Sequence, residues 1–143
     1  PMNTDKLFAT TLQKTHVWLE EIMSRLGWDD PHRAWSALRA VLHVLRDRLR
    51  VEDAAALGAQ LPMLVRGAYY EGWSPSHKPE RIRHEQEFLD RIGDELQGYE
   101  EQVDLEEVTR AVFDVLTEHV SFGEAEHLFE ILPKRIGQLL AAY

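Results

Sequence analysis

Apolar residues recur along this chain at spacings of three and four, the signature of helices with one buried face, and nowhere in strand-like alternation. The first stripe is Phe8, Leu12, Leu19, Ile22, Met23 and Leu26, with Thr11 and Thr15 beside it. It predicts a helix from about Asp5 to Leu26, stopped by Gly27. Asp30-Pro31 then offers an N-cap carboxylate and a proline at a first helical position. The second helix runs to about Arg50, with Ala34, Leu38, Val41, Leu42, Leu45 and Leu49 inward. A short third helix from about Glu52 to Gln60 carries acids in its first turn, which suits the macrodipole. Gly58 inside it costs about 1 kcal/mol relative to alanine, so a neighbouring helix is expected to cross closely there. Pro62 is expected to open a fourth helix.

The stretch EGWSPSHKP, Glu71 to Pro79, is punctuated by Gly, Pro and Ser and reads as a linker. Past it the pattern resumes. A fifth helix is expected from Pro79 to about Gln97, along Ile82, Leu89, Ile92 and Leu96, with Gly98 ending it. The sixth runs from an N-cap at Asp104 to Val120, with Leu105, Val108, Val112, Val115 and Leu116 inward. Ser121 and Glu124 stand at capping-box spacing, and short helices from about Gly123 and Pro133 complete the set.

Much of this repeats. Leu61-Pro62 returns as Leu132-Pro133, 71 residues later, and at that offset Arg39, Ala40, Val41, Val44 and Leu45 meet Arg110, Ala111, Val112, Val115 and Leu116. Ala54 and Leu57 meet Ala125 and Leu128. Two amphipathic helices align by period alone, but ungapped agreement through the proline favours a duplication. The expected architecture is all-α: one domain over residues 1–143, with about eight helices in two four-helix halves, about 5–73 and 79–143. The halves are expected to be related by a pseudo-twofold axis and to share one core, neither burying its apolar faces alone.

Composition narrows the function classes. A chain of 143 residues is long enough to bury roughly 68–70% of its unfolded surface. No apolar run approaches the roughly 20 residues a bilayer requires, so no membrane role is expected. The N-terminus lacks a secretory layout, Pro1 before Met2 is set aside, and the cytoplasm is the expected compartment. The absence of cysteine excludes thiolate catalysis and disulfides. The net charge of −9 is uneven: residues 1–84 hold twelve Lys/Arg and ten Asp/Glu, residues 85–143 four and fifteen. So acidic a C-terminal half argues against nucleic acid as a partner.

Catalytic signatures are sparse. Neither a phosphate loop, a nucleophile elbow nor a paired His-Glu-x-x-His is present. A single Glu-x-x-His unit, Glu124 and His127, is expected to face solvent, so no metal and no cofactor are expected. His43 and Asp47, one turn apart, read as an exposed pair, and His119 as a dipole partner in a last turn. Arg39, Arg46 and Arg50 line a flank beside Trp35 that reads first as a solvated face. The strongest candidate cluster is Gln60, Arg66, Tyr69, Tyr70 and Trp73. Arginine among aromatics suits a protein hot spot and also an anion clamp. Yet Tyr69 and Trp73 equally suit a roof over the seam between halves.

The run ALRAVLHVLRDRLRVEDAAALGAQLPMLVRGAYYEGW, with the later EVTRAVFDVL and LP, resembles the bacterial and archaeal proteins catalogued as domain of unknown function 2267. The resemblance spans nearly the whole chain. It implies an all-helical fold and no established activity, and it supplies no catalytic residues to carry over. The leading expectation is therefore a non-enzymatic interaction or adaptor module, with an unknown protein partner or self-association through opposed charges. The alternative is a small anionic-ligand site or enzyme around Arg66, Tyr70 and Trp73.

Overall fold

Gly27 sits at φ 68°, and the N–H of this left-handed residue turns back to Met23 O, ending α1 (Asp5–Leu26) where the pattern placed its end. The computed structural model describes residues 4–77, 81–82, 84–96 and 103–141. Among them are eight α-helices and no strand: α2 (Pro31–Arg48), α3 (Val51–Gly58), α4 (Met63–Tyr70), α5 (Glu85–Glu95), α6 (Leu105–His119), α7 (Phe122–Ile131) and α8 (Lys134–Ala141). The fold is all-α. Asp30 accepts from His32 N and Asp104 from Glu107 N, so both expected caps form.

Several boundaries differ from the sequence reading. Leu49 turns extended, so α2 stops at Arg48 rather than Arg50. Pro62 and Pro133 stand just ahead of their helices instead of in the first helical position. Their carbonyls accept the first bonds, from Arg66 N and Gly137 N. Arg81 and Ile82 are not helical and His84 is the N-cap, so α5 opens at Glu85. The expected breakpoints Pro79, Gln97 and Gly98 lie outside the described residues.

The core forms where α1, α2, α5 and α6 meet: α1 packs on α6, α2 on α5, and α2 on α6. Its largest fully buried side chains include Trp18, Phe88, Phe113, Leu42 and Leu45. The inward face of α1 is Thr15, Trp18 and Ile22, with Leu19, Met23 and Leu26 half-buried. Phe8 and Leu12, expected inside, are exposed. The apolar stripe of α1 is therefore split. Its C-terminal turns serve the core, and its N-terminal turns run alongside α4 and stay open.

The α3–α4 corner shows why Gly58 is glycine. A Cβ there would run into the Tyr70 hydroxyl and ring, so the expected close approach comes from an aromatic ring on α4. Arg66 closes the same corner. Its Nε donates to Gly58 O (2.8 Å), and its Nη2 donates to Leu61 O (2.8 Å) and Ala59 O (3.3 Å). Gly58 O and Ala59 O lie at the end of α3 and Leu61 O in the link to α4, where helical N–H donors run short; Gly58 O also accepts from Leu61 N. Thr11 does the equivalent service for α4: its hydroxyl accepts from Leu64 N at 3.0 Å, where Pro62 supplies no side-chain cap. Buried Tyr69 donates to Ala54 O at 2.8 Å, and burial pushes its phenol pKa up.

Candidate functional site

Two of the residues read as surface chemistry, Arg46 and His43, prove to be internal struts. Arg46 is only 4% exposed. Its Nη1 donates to Tyr69 O (2.7 Å) and Glu71 O (2.8 Å), and its Nε to Asp47 (2.8 Å). It is thus not part of a solvated flank. It fastens the end of α4 to α2, which the carbonyls beyond the last turn of α4 require. Arg39, 3.8 Å from Glu71, and Arg50, paired with Glu52, do face outward. His43 is buried rather than exposed, its Nε2 against Ala68 O at 2.7 Å and its Nδ1 3.4 Å from Glu95. A carbonyl only accepts, so Nε2 carries the proton.

The candidate cluster divides. Tyr69, Tyr70 and Trp73 form one aromatic group, with ring centroids 5.0 and 5.3 Å apart, packed against the core and Gly58. Gln60 and Arg66 face the other way, into a cavity of about 420 Å³ between α1 and the α3–α4 corner. Trp18 forms its aromatic wall, and Lys14 and His119 share its rim. Trp18 stacks on His119 at 5.0 Å, and His119 bonds Glu21 at 2.7 Å. Arg66 and Tyr70 therefore do not face one site, contrary to the expectation of a clamp between them. Arg66 keeps Nη1 without a partner among the described residues, and Lys14 likewise has none.

A separate open apolar trough of about 570 Å³ is lined by Phe8, Leu12, Trp35, Met63, Leu64 and Ala68, with Glu71 also in its wall. A smaller hollow holding Leu7, Lys14, Met63 and Arg66 lies beside it and shares Thr11 and Met63 with it. The apolar trough and the cationic hollow are thus neighbours at the α1–α4 contact, where Thr11 accepts from Leu64 N. Met63 is 64% exposed and Leu7 76%. The trough was missed because Phe8 and Leu12 extend the core stripe of α1 without a break in spacing. The available signal was Met63-Leu64, two apolar residues beside the inward position Val65 of a short helix.

Across the seam, Gln60 grips the start of α7. Ser121 N donates to Gln60 Oε1 (2.6 Å), and Gln60 Nε2 donates to Ser121 Oγ (3.2 Å). Ser121 Oγ still accepts from Glu124 N, but the reciprocal half of the capping box is taken over by Gln60. Glu124 consequently turns inward. It is 8% exposed, with one carboxylate oxygen lacking a partner among the described residues, and burial raises its pKa. The expectation that Glu124 and His127 face solvent together is corrected. His127 is instead partly covered and bonds Asp53 of α3 at 2.9 Å. That bond, with lesser help from Glu124 and Glu130, raises its pKa above 6.5. Among the described residues, no three His, Asp or Glu gather to hold a metal ion.

A pH dependence follows. A histidine whose pKa is raised on folding stabilises fully below its unfolded value and loses that stabilisation as pH rises through the folded one. Glu124, also raised, is penalised once ionised, so its effect has the same sign from about pH 4.5 upward. The contribution of these groups to the melting temperature is expected to fall as pH rises from the carboxylate range through the titration of His127. Glu124→Gln should shrink the lower step, to which Asp114, also raised by burial, contributes, and His127→Gln should remove the upper. Thermal melts of the three proteins across that range are the check.

Residues 15–139 match the model of a family described as an uncharacterized conserved protein, DUF2267. No curated protein matches the chain.

Proposed function

The chain belongs to the DUF2267 family of uncharacterized conserved proteins, and on that footing we propose that it is a non-enzymatic interaction module, working in the cytoplasm and engaging protein rather than nucleic acid. The observation that carries this reading is the trough. Leu7, Phe8, Leu12, Met63 and Leu64 are all exposed along α1 and α4. Monomers rarely gather large apolar side chains this way unless the patch binds something. The polar groups that suggested chemistry are meanwhile engaged within the fold: Arg46, His43 and Tyr69 bond backbone carbonyls, and His127 bonds Asp53. Among the described residues, no helix is long and apolar enough to cross a membrane.

We also read the chain as a single domain built by duplication. Exchanging α1 with α5, α2 with α6 and α4 with α8 turns the α1–α6 contact into α5–α2, α1–α2 into α5–α6, and α2–α4 into α6–α8. Each of these contacts occurs, which supports the twofold relation.

Affinity capture from the native host tests the interaction reading. Met63→Lys places a charge in the trough at an exposed position, so it is expected to lose the captured partner while Arg50→Ala keeps it. An identical captured set from both variants would sink the proposal.

A second reading has its own observation. The cavity joining Lys14, Arg66 Nη1, Gln60 and Trp18 places two cations beside an aromatic wall, which suits a small anionic ligand. Phosphate or a carboxylate metabolite should then raise the melting temperature, and Lys14→Ala should abolish that rise. A rise that persists in Lys14→Ala removes this reading.

A further inference from the structure

We propose that the trough is filled by the outer face of α7 from a second copy of this chain. The inference rests on the interaction reading above and supplies its partner. Phe122, Glu126, Phe129 and Glu130 are all exposed and stand at i, i+4, i+7 and i+8 of one helix, with Phe122 79% exposed. That is the anchor spacing of an amphipathic helix lying in a groove. Its chemistry is the open ring of Phe122 and the outer edge of Phe129, whose other edge packs against Phe113, flanked by two carboxylates. Glu126 makes no hydrogen bond or ion pair among the described residues, and Glu130 interacts only at a distance, with His127.

The trough offers the complement. Phe8, Leu12, Met63 and Leu64 form a bed for aromatic anchors, and Lys14 and Arg66 line the adjoining hollow, which shares Thr11 and Met63 with it, where an acidic edge would rest. Neither surface complements itself. Trough against trough would oppose Lys14 and Arg66 with their copies, and α7 against α7 would oppose carboxylates. Trough against α7 is the pairing that satisfies both apolar and charged parts, and like charges placed face to face are what exclude the others. The contact is heterologous, head to tail. Enclosure of a small apolar molecule would need walls on every side, whereas this groove is open along its length.

One helix face in one groove buries area at the low end of the range for protein contacts, so association is weak and fast, and its charged part weakens with salt. Sedimentation equilibrium from about 10 µM to about 1 mM should show mass rising above that of the monomer, less so at high salt. Met63→Lys removes the trough and Phe122→Lys removes the α7 face. Both positions are well exposed, and circular dichroism confirms that each variant folds. Each variant alone is expected to be monomeric. An equimolar mixture should restore a two-chain species, because each variant retains the face the other lacks. A monomeric wild type throughout that range overturns the inference, as does dispersal by only one of the variants or a mixture that stays monomeric. If the wild type stays monomeric while Met63→Lys still loses a captured host protein, the second copy is wrong and the interaction reading stands.

Discussion

Arg46→Ala will lower the free energy of unfolding by about 3–5 kcal/mol, the cost of stripping a buried charge network of one member. The guanidinium serves three acceptors at once, Tyr69 O, Glu71 O and Asp47, from a position 4% exposed. The two carbonyls lie at the end of α4 and just past it, where no helical N–H follows. Alanine leaves them desolvated with no donor, and water does not easily reach them. Arg46→Lys should recover only about half of the loss, because an ammonium on a flexible stem cannot span the same fork. Urea unfolding of the three proteins measures this. A loss under about 1 kcal/mol for alanine would mean that the carbonyls find other donors.

Trp18→Ala is expected to cost about 3–5 kcal/mol through the cavity it leaves. Trp18 is 1% exposed, faces α6 from the middle of α1 and stacks on His119. It is the largest side chain bridging α1 and α6. Its neighbours there are tied as well: Arg25 pairs with Glu118 and lies 3.7 Å from Asp114. Those partly exposed pairs contribute far less than the ring, since solvent screens them. Trp18→Phe, which keeps most of the apolar volume, should retain well over half of the stability. Calorimetric melts of both variants are the check. A small loss in Trp18→Ala would mean that α1 is held mainly by its charges.

What the sequence conveyed was the periodicity. Every helix was legible, because each buries one face and repeats every three to four residues. Stops at Gly27 and caps at Asp30 and Asp104 were legible because a single residue's chemistry sets them. The corner at Gly58 was half legible: the missing Cβ implied a close approach, but only the fold brings Tyr70 there. The destinations of long polar side chains were not legible. Arg46 lies on a helix flank by angle, yet its length carries the guanidinium under α4 to carbonyls 23 and 25 residues away. Glu124 looked like half of a capping box until Gln60, 61 residues from Ser121, took that role. Helical periodicity reports a direction at Cβ, and the end of a four-bond side chain answers to whatever lies within its reach.

The pairing of α1 with α6 and of α2 with α5 has a consequence for how the protein is made. The main partners of the first two helices are specified dozens of residues downstream. While α1 to α4 emerge from the ribosome, the faces that carry Trp18, Leu38 and Leu42 have no α5 or α6 to close on. At ordinary translation rates of about 5–20 residues per second, the stretch up to the end of α6 takes roughly 2–10 s more to appear. During that interval the nascent chain presents sticky helices rather than a folded unit, and holding chaperones have a window in which to act.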